Sequence, residues 1–383
     1  MMTRVNVLIA ILFVGCAPSN KEWESEIFAP VTSIVEQAIQ DSVFPGGVLM
    51  VGKGSGNTYS KSFGNHDYSA DAVPTMPENM FDLASLTKVL STNLAIMKLY
   101  ERGEIDIDET VAHYIHQFAQ NGKSEVTIRN LLVHNSGFPS GRPFYKYCNT
   151  EDEVYDSLYV TPLRYELGQV YKYSDLSFIT LGHLLEVLTG TPLEDYVHEH
   201  FYAPLGLEHT MFKPDTDLWP NIVPAEPEFN FRLTGAKGRA KNKITHLMNG
   251  VAGHAGLFSN AGDLAVLAQM LLNGGEYDGG RLLDEATVKL FTSKQSEQST
   301  RGLGWDTGTG NGNPNIPIAK SFPPEAFGHT GFTGTLIWMD PNRDIFIIFL
   351  SNRTYDMTDR SKIGAFRPVL YEAILEIIDE ASS

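Results

Sequence analysis

Residues 77–115 read PENMFDLASLTKVLSTNLAIMKLYERGEIDIDETVAHYI. Leu86, Val89, Leu90, Leu94, Met97 and Tyr100 recur at helical spacing, and Gly103 supplies the stop, so the pattern predicts one amphipathic helix over Leu86–Gly103. Ser85-Leu86-Thr87-Lys88, the only S-x-x-K in the chain, opens that helix. Residues i and i+3 share a helical face, so Lys88 can reach the Ser85 hydroxyl. A helix N-terminus also presents unpaired N–H groups and a positive dipole end to a developing oxyanion. A serine hydroxyl is a weak nucleophile that needs a neighbouring base, and a lysine can serve. Taken alone, the same four residues fit a capping serine with a solvated lysine one turn on.

The flanking sequence sets the architecture. Upstream, Pro30–Gln40 carries an apolar helical face. GGVLMVGKG from Gly46 and the run from Thr58 to Phe63 read as strands joined by a turn at Gly54–Asn57. Downstream, Thr335–Asp340 and Ile345–Ser351 are apolar strands joined by Pro341-Asn342-Arg343-Asp344. A last helix is predicted over Phe366–Ile378, with Pro368 in its first turn. Between the two ends lie helical patches, clearest at Leu176–Leu188 and Asp263–Leu272. The simplest closure is α/β (α+β): an antiparallel sheet made by both termini, flanked by the terminal helices, plus an all-α region inserted at about 90–300. The cleft between sheet and helices is the expected active site.

The chain has 383 residues, with 46 acidic and 29 basic side chains and a net charge of −17. That composition supports a large core. The acid excess argues against nucleic acid or an anionic surface as partner. Two cysteines, Cys16 and Cys148, cannot form a disulfide framework. His198-Glu199-His200 does not match H-E-x-x-H, so no metal is expected.

Residues 1–16, MMTRVNVLIAILFVGC, join a basic n-region at Arg4 to an apolar run too short for a stable membrane span. Phe13-Val14-Gly15-Cys16 resembles a bacterial lipobox, which implies a signal peptide over 1–15, acylation of Cys16 and a tether over 16–26. Residues 27–383 would then form the folded domain. The expected location is the cell envelope, with the membrane contacted only through that lipid.

Beyond the tetrad, several blocks occur in one order: VTIRNLLVHNSGFPSG at 126–141, YKYSDLSFITLGHLLEVLTG at 171–190, GVAGHAGLFSNAGDLAVLAQMLLNGG at 250–275 and GHTGFTGTLIWMDP at 328–341. Together they resemble the class C β-lactamase-like, or penicillin-binding-protein-like, serine hydrolases over about residues 30–378. The pairing of S-x-x-K with K-T-G is a known signature of related β-lactamases. The resemblance implies the serine β-lactamase/transpeptidase-like fold. It makes Ser85 the acylated nucleophile, Lys88 its partner and Tyr173 the proton relay, whose phenolate a Lys88 cation would favour. It assigns Phe332, after Gly331, as the second oxyanion N–H beside that of Ser85. Tyr147-Cys148-Asn149 matches Y-x-N more literally, but it sits in an unpatterned loop.

Two departures matter. Asp175 stands where many relatives carry Asn. Either it (or Ser174) caps the helix that follows, or its carboxylate holds Lys88 charged and leaves the role of base to Tyr173. His329-Thr330-Gly331 replaces K-T-G, and a neutral histidine would hold a substrate carboxylate less well than lysine. The expectation is therefore a serine hydrolase acting as an esterase on small acyl substrates, without a cofactor. The alternatives are a D-alanyl carboxypeptidase or β-lactamase acting on cell-wall-like substrates, or a non-catalytic penicillin-binding sensor. His134 and His254, in glycine-containing loops, are expected to organise backbone.

Overall fold

A computed structural model describes residues 25–381, except 55, 57, 228–239, 309–317, 357–358 and 360. The expected signal peptide, Cys16 and most of the expected tether lie outside the described residues. No single described helix is long and apolar enough to cross a membrane.

The main strands are β1 (Gly46–Lys53), β2 (Thr58–Gly64), β3 (Asp306–Thr307), β4 (Phe327–Thr330), β5 (Leu336–Asp340) and β6 (Ile345–Ser351). They form one antiparallel sheet in the order β2-β1-β6-β5-β4-β3. The two ends of the chain meet at β1 and β6, where Gly47 pairs with Ser351 and Lys53 with Ile345.

Strict alternation explains why these strands read as continuous apolar runs. Ile337, Met339, Phe346, Ile348 and Leu350 face one core, and Leu336, Trp338, Ile345, Ile347 and Phe349 face another. A sheet covered on both faces has no polar side to show. Each such side chain contributes about 1.5–3 kcal/mol when fully buried.

Five helices matter here: α1 (Ala29–Gln40), α2 (Asn93–Glu101), α3 (Asp175–Thr189), α4 (Ala261–Leu272) and α5 (Lys362–Ala381). The terminal helices α1 and α5 pack on one another and on one face of the sheet, with Phe44 wedged edge-on against Phe366 at 5.1 Å. Helix α4 covers the other face, and α2 and α3 lie in the helical region beyond it. Gly190, at φ +65°, ends α3 as the sequence implied.

One expectation fails in detail. Helix α5 starts at Lys362, so Pro368 lies inside it and not in its first turn. The first turn, Lys362-Ile363-Gly364-Ala365, is weakened as a helix signal by Gly364. It is held by burial of Ile363 and by the Lys362 ammonium on the Asp41 carbonyl (2.8 Å).

Candidate active site

The loop that carries Ser85 is clamped before its helix begins. Phe81–Asp82 pairs with the short strand Leu257–Ser259, and the Leu83 N–H donates to the Leu257 carbonyl (3.0 Å). Ala84 then takes φ +47°, a left-handed conformation that L-residues other than Asn and Asp seldom adopt, and its N–H is held by Asp82 Oδ1 (2.8 Å). From the other side, the Thr333 hydroxyl donates to the Asp82 carbonyl (2.6 Å) and that of Thr335 to the Leu83 carbonyl (3.2 Å). This strained, over-determined turn leaves Ser85 half-buried at the mouth of the helix.

The helix opens differently from the regular α-helix expected. Lys88–Thr92 is π-helical, with the Asn93 N–H reaching back to the Lys88 carbonyl. The hydroxyl of Tyr202 donates to the Leu90 carbonyl within this turn (2.9 Å). Single π turns occur often at functional sites, where they re-aim side chains. Apolar periodicity cannot reveal one, because the buried face persists through it.

Lys88 is fully buried, and its ammonium has three acceptors: Ser85 Oγ at 3.0 Å, Asp175 Oδ1 at 2.8 Å and the His254 carbonyl at 3.1 Å. Burial pulls the ammonium down, but the Asp175 carboxylate and Tyr173 outweigh it and hold Lys88 above the ordinary lysine range. Burial likewise pushes the Asp175 carboxyl up, and the Lys88 charge overrides that to hold it below the ordinary range. Neither candidate cap acts as one. The Ser174 hydroxyl donates to the Pro139 carbonyl (2.6 Å), and Asp175 turns to Lys88.

Tyr173 brings its ring centre to 5.0 Å from Lys88 Nζ, and its hydroxyl has no partner among the described residues. His134 packs against it at 4.5 Å and His329 at 6.0 Å. His134 takes φ +59°, and its Nδ1 accepts the Ser174 N–H (3.2 Å), so it organises backbone as expected. His329 is buried and shares a hydrogen bond between Nδ1 and the Thr330 carbonyl (2.9 Å). Burial, with Arg301 and Lys88 nearby, holds it well below the ordinary histidine range, so it is neutral near pH 7. Gly331 follows at a point of close approach, where a β-carbon would strike Thr335 Oγ1 and the Leu83 carbonyl. Phe332 is exposed at the rim.

Ser85 lies between two lobes of one cleft. The larger, about 700 Å³, includes Tyr173, His329, Phe332, Arg301, Arg353 and Arg367 in its wall. The smaller, about 350 Å³, is lined by Asp82, Asp175, Lys241, His254, Phe332 and others. The structure thus brings Ser85, Lys88, Tyr173, Asp175, His329, Gly331 and Phe332 into one place. Tyr147 is exposed and lines neither lobe.

Sequence reasoning missed the arginines. Arg301 is almost wholly buried, 2.9 Å from Asp306 Oδ1, and donates to the Gly304 carbonyl (3.1 Å). Burial lifts Asp306 to about 6 despite that guanidinium. Arg367 is buried and donates to the Gly331 and Thr335 carbonyls (3.0 and 3.1 Å). None of the three arginines falls in a block whose pattern suggested chemistry.

The ion pair gives a pH prediction. With Lys88 raised and Asp175 lowered, the pair stabilises the site above the carboxylate range. That contribution is lost as pH falls through the folded Asp175 value or rises through the folded Lys88 value. In Asp175→Asn, burial acts on Lys88 without its main counter-charge. The alkaline limb of the pH–rate profile is then expected to move to lower pH by roughly one unit or more. Superimposable limbs in the two proteins would count against Asp175 as the group that keeps Lys88 charged.

Comparison with known proteins agrees with this fold. The beta-lactamase family model matches residues 31–368. A protein of Escherichia coli O157:H7 that carries the provisional name D-alanyl-D-alanine carboxypeptidase is 36% identical, with 92% of each chain covered. Two solved structures share the fold. A penicillin-binding protein homologue from Caulobacter crescentus has a TM-score of 0.70 at 22% identity, covering 92% of this chain and 98% of its own. A class C beta-lactamase from Rhodobacter sphaeroides has 0.69 at 20%, covering 91% and 99%. The chain belongs to the beta-lactamase family.

Proposed function

We propose that the protein is a D-alanyl carboxypeptidase, cleaving the last residue from acyl-peptides that end in a free carboxylate through a Ser85 acyl-enzyme. The observation that carries this reading is the cationic wall of the larger lobe, where Arg301, Arg353 and Arg367 stand beside the neutral His329. The esterase expectation rested on the loss of the K-T-G lysine, and these guanidiniums supply positive charge from elsewhere. The name carried by the 36% relative points the same way.

In this mechanism the charged Lys88 donates to Ser85 Oγ and cannot be the base, so Tyr173, acting as the phenolate beside that cation, takes the serine proton as Oγ attacks the carbonyl carbon. The backbone N–H groups of Ser85 and Phe332 receive the oxyanion. Tyr173 passes the proton to the departing amine. A water molecule, deprotonated the same way, then releases the acyl group.

Peptides ending in D-Ala-D-Ala, as free acid or carboxamide, test the assignment. The free acid is expected to be cleaved with kcat/KM at least about tenfold higher, and Arg353→Gln to erase most of that preference. Equal rates on both would refute it. A second reading, an esterase on neutral acyl groups, is favoured by the neutrality of His329 and by the commitment of Arg301 and Arg367 to protein partners. Faster turnover of a short-chain p-nitrophenyl ester than of either peptide would select it.

The N-terminal reading belongs to the same proposal. Acylation of Cys16 would tether the enzyme at the cell envelope. Incorporation of a fatty-acid label that persists in Cys16→Ser would refute the anchor.

A further inference from the structure

Helix α5 contributes Arg367 to the wall of the larger lobe, and its side chain is almost wholly buried. Arg301, in the same wall, has the Asp306 carboxylate beside it. Arg367 has no carboxylate in an ion pair with it among the described residues. Burial pulls its guanidinium below the ordinary arginine range, and the opposing influence comes from Tyr371, which burial keeps neutral. An arginine nevertheless keeps its proton in a protein. A buried cation without a counter-charge is costly, so its place beside the nucleophile calls for an explanation.

The answer lies in where the guanidinium donates. Arg367 Nη2 reaches two carbonyls, those of Gly331 (3.0 Å) and Thr335 (3.1 Å). These residues bound the tight turn between β4 and β5. The Gly331 N–H donates to the Thr335 carbonyl (2.7 Å), and the Gly334 N–H to the Gly331 carbonyl (3.2 Å). The hydroxyls of Thr333 and Thr335 tie the same turn to the Asp82 and Leu83 carbonyls, just before Ser85. Helix α5, the turn and the nucleophile loop are thus joined by direct hydrogen bonds.

The peptide between Gly331 and Phe332 is trans and planar, so its C=O and N–H point in opposite directions. Arg367 and Gly334 hold the carbonyl end. The Phe332 N–H, assigned above to the oxyanion, is thereby turned away from α5. A hydrogen bond donated by a cation to the carbonyl also polarises the peptide and makes its N–H a stronger donor.

We propose that Arg367 is a positioning residue for the oxyanion hole, which acts through the Gly331–Phe332 peptide to aim and strengthen the N–H that receives the oxyanion. This deepens the acyl-enzyme reading and rests on it. The guanidinium lacks a counter-charge in the resting enzyme and gains one in the tetrahedral intermediate, and stabilisation confined to that stage is what accelerates the reaction. Direct contact between Arg367 and a substrate carboxylate would instead leave substrates without a carboxylate unaffected.

The test compares p-nitrophenyl acetate with p-nitrophenyl thionoacetate, in which sulfur replaces the carbonyl oxygen. Neither carries a carboxylate, and sulfur is a weak hydrogen-bond acceptor. Each kcat/KM is taken relative to the reaction of the same ester with hydroxide. The wild type is expected to favour the oxygen ester by about tenfold or more, and Arg367→Met to bring that ratio most of the way towards one. Arg367→Lys, which keeps the charge and a donor, should retain part of it. Both esters are read on the same preparation, so a partly unfolded variant does not disturb the ratio. Where Arg367→Met yields no folded protein, the lysine variant decides: a lowered ratio supports the role and an unchanged one overturns it. A ratio unchanged in Arg367→Met overturns the role of Arg367 and leaves the acyl-enzyme reading standing. A wild-type ratio near one overturns the oxyanion assignment and the role of Arg367 with it. Hydrolysis of neither ester overturns the acyl-enzyme reading and this proposal together.

Discussion

Ser85→Ala is expected to lower kcat/KM by about 10³-fold or more on every acyl donor the wild type hydrolyses, because no acyl-enzyme can form. It should do so with little loss of fold. The Ser85 hydroxyl accepts one hydrogen bond, from Lys88, and that ammonium keeps Asp175 and the His254 carbonyl as acceptors. The stability cost is therefore about 1 kcal/mol or less. Urea unfolding and steady-state kinetics on the same variant separate the two quantities. A variant within tenfold of wild-type activity would place the nucleophile elsewhere.

Lys88→Met should be damaging on both counts. The methionine fills similar space but removes the ammonium that orders Ser85 Oγ and sits beside the Tyr173 ring. Removing the charge that supports Tyr173 as proton acceptor is expected to cost about 10²–10⁴-fold in rate. It also leaves the Asp175 carboxylate without its counter-charge. Breaking a buried pair from one side costs about 3–5 kcal/mol. The Asp175 side chain is 32% exposed to the cleft, so the lower part of that range or somewhat less applies here. Adding Asp175→Asn to Lys88→Met removes the orphaned charge, so the double variant is expected to recover stability while staying inactive. Recovery of activity in the double variant would mean that Lys88 serves only to neutralise Asp175.

Much of the framework was legible because it rests on short-range rules. Pro30, Gly190 and the alternating strands β5 and β6 announce their own structure in a few consecutive residues. Apolar periodicity likewise located α3 and α4 to within a residue or two at most ends. What stayed hidden depends on long-range contact. The left-handed turn at Ala84 is imposed by Asp82, Thr333 and Thr335, the last two about 250 positions away. The π turn after Lys88 keeps the apolar face that any helix there would show. Arg301 falls outside every patterned block, and only its buried pairing with Asp306 in the fold marks it. His254 was expected to organise backbone, and its carbonyl does so by accepting from Lys88. Asp175 was readable as a cap or as a partner of Lys88, and only the 2.8 Å contact chooses between them.

An activated, solvent-reachable Ser85 should take a covalent label. The most direct test is peptide mapping by mass spectrometry of the folded wild-type protein after exposure to a fluorophosphonate. A single adduct is expected, on the peptide that contains Ser85. A folded protein that takes no label, or that carries its label on any other residue, would contradict it.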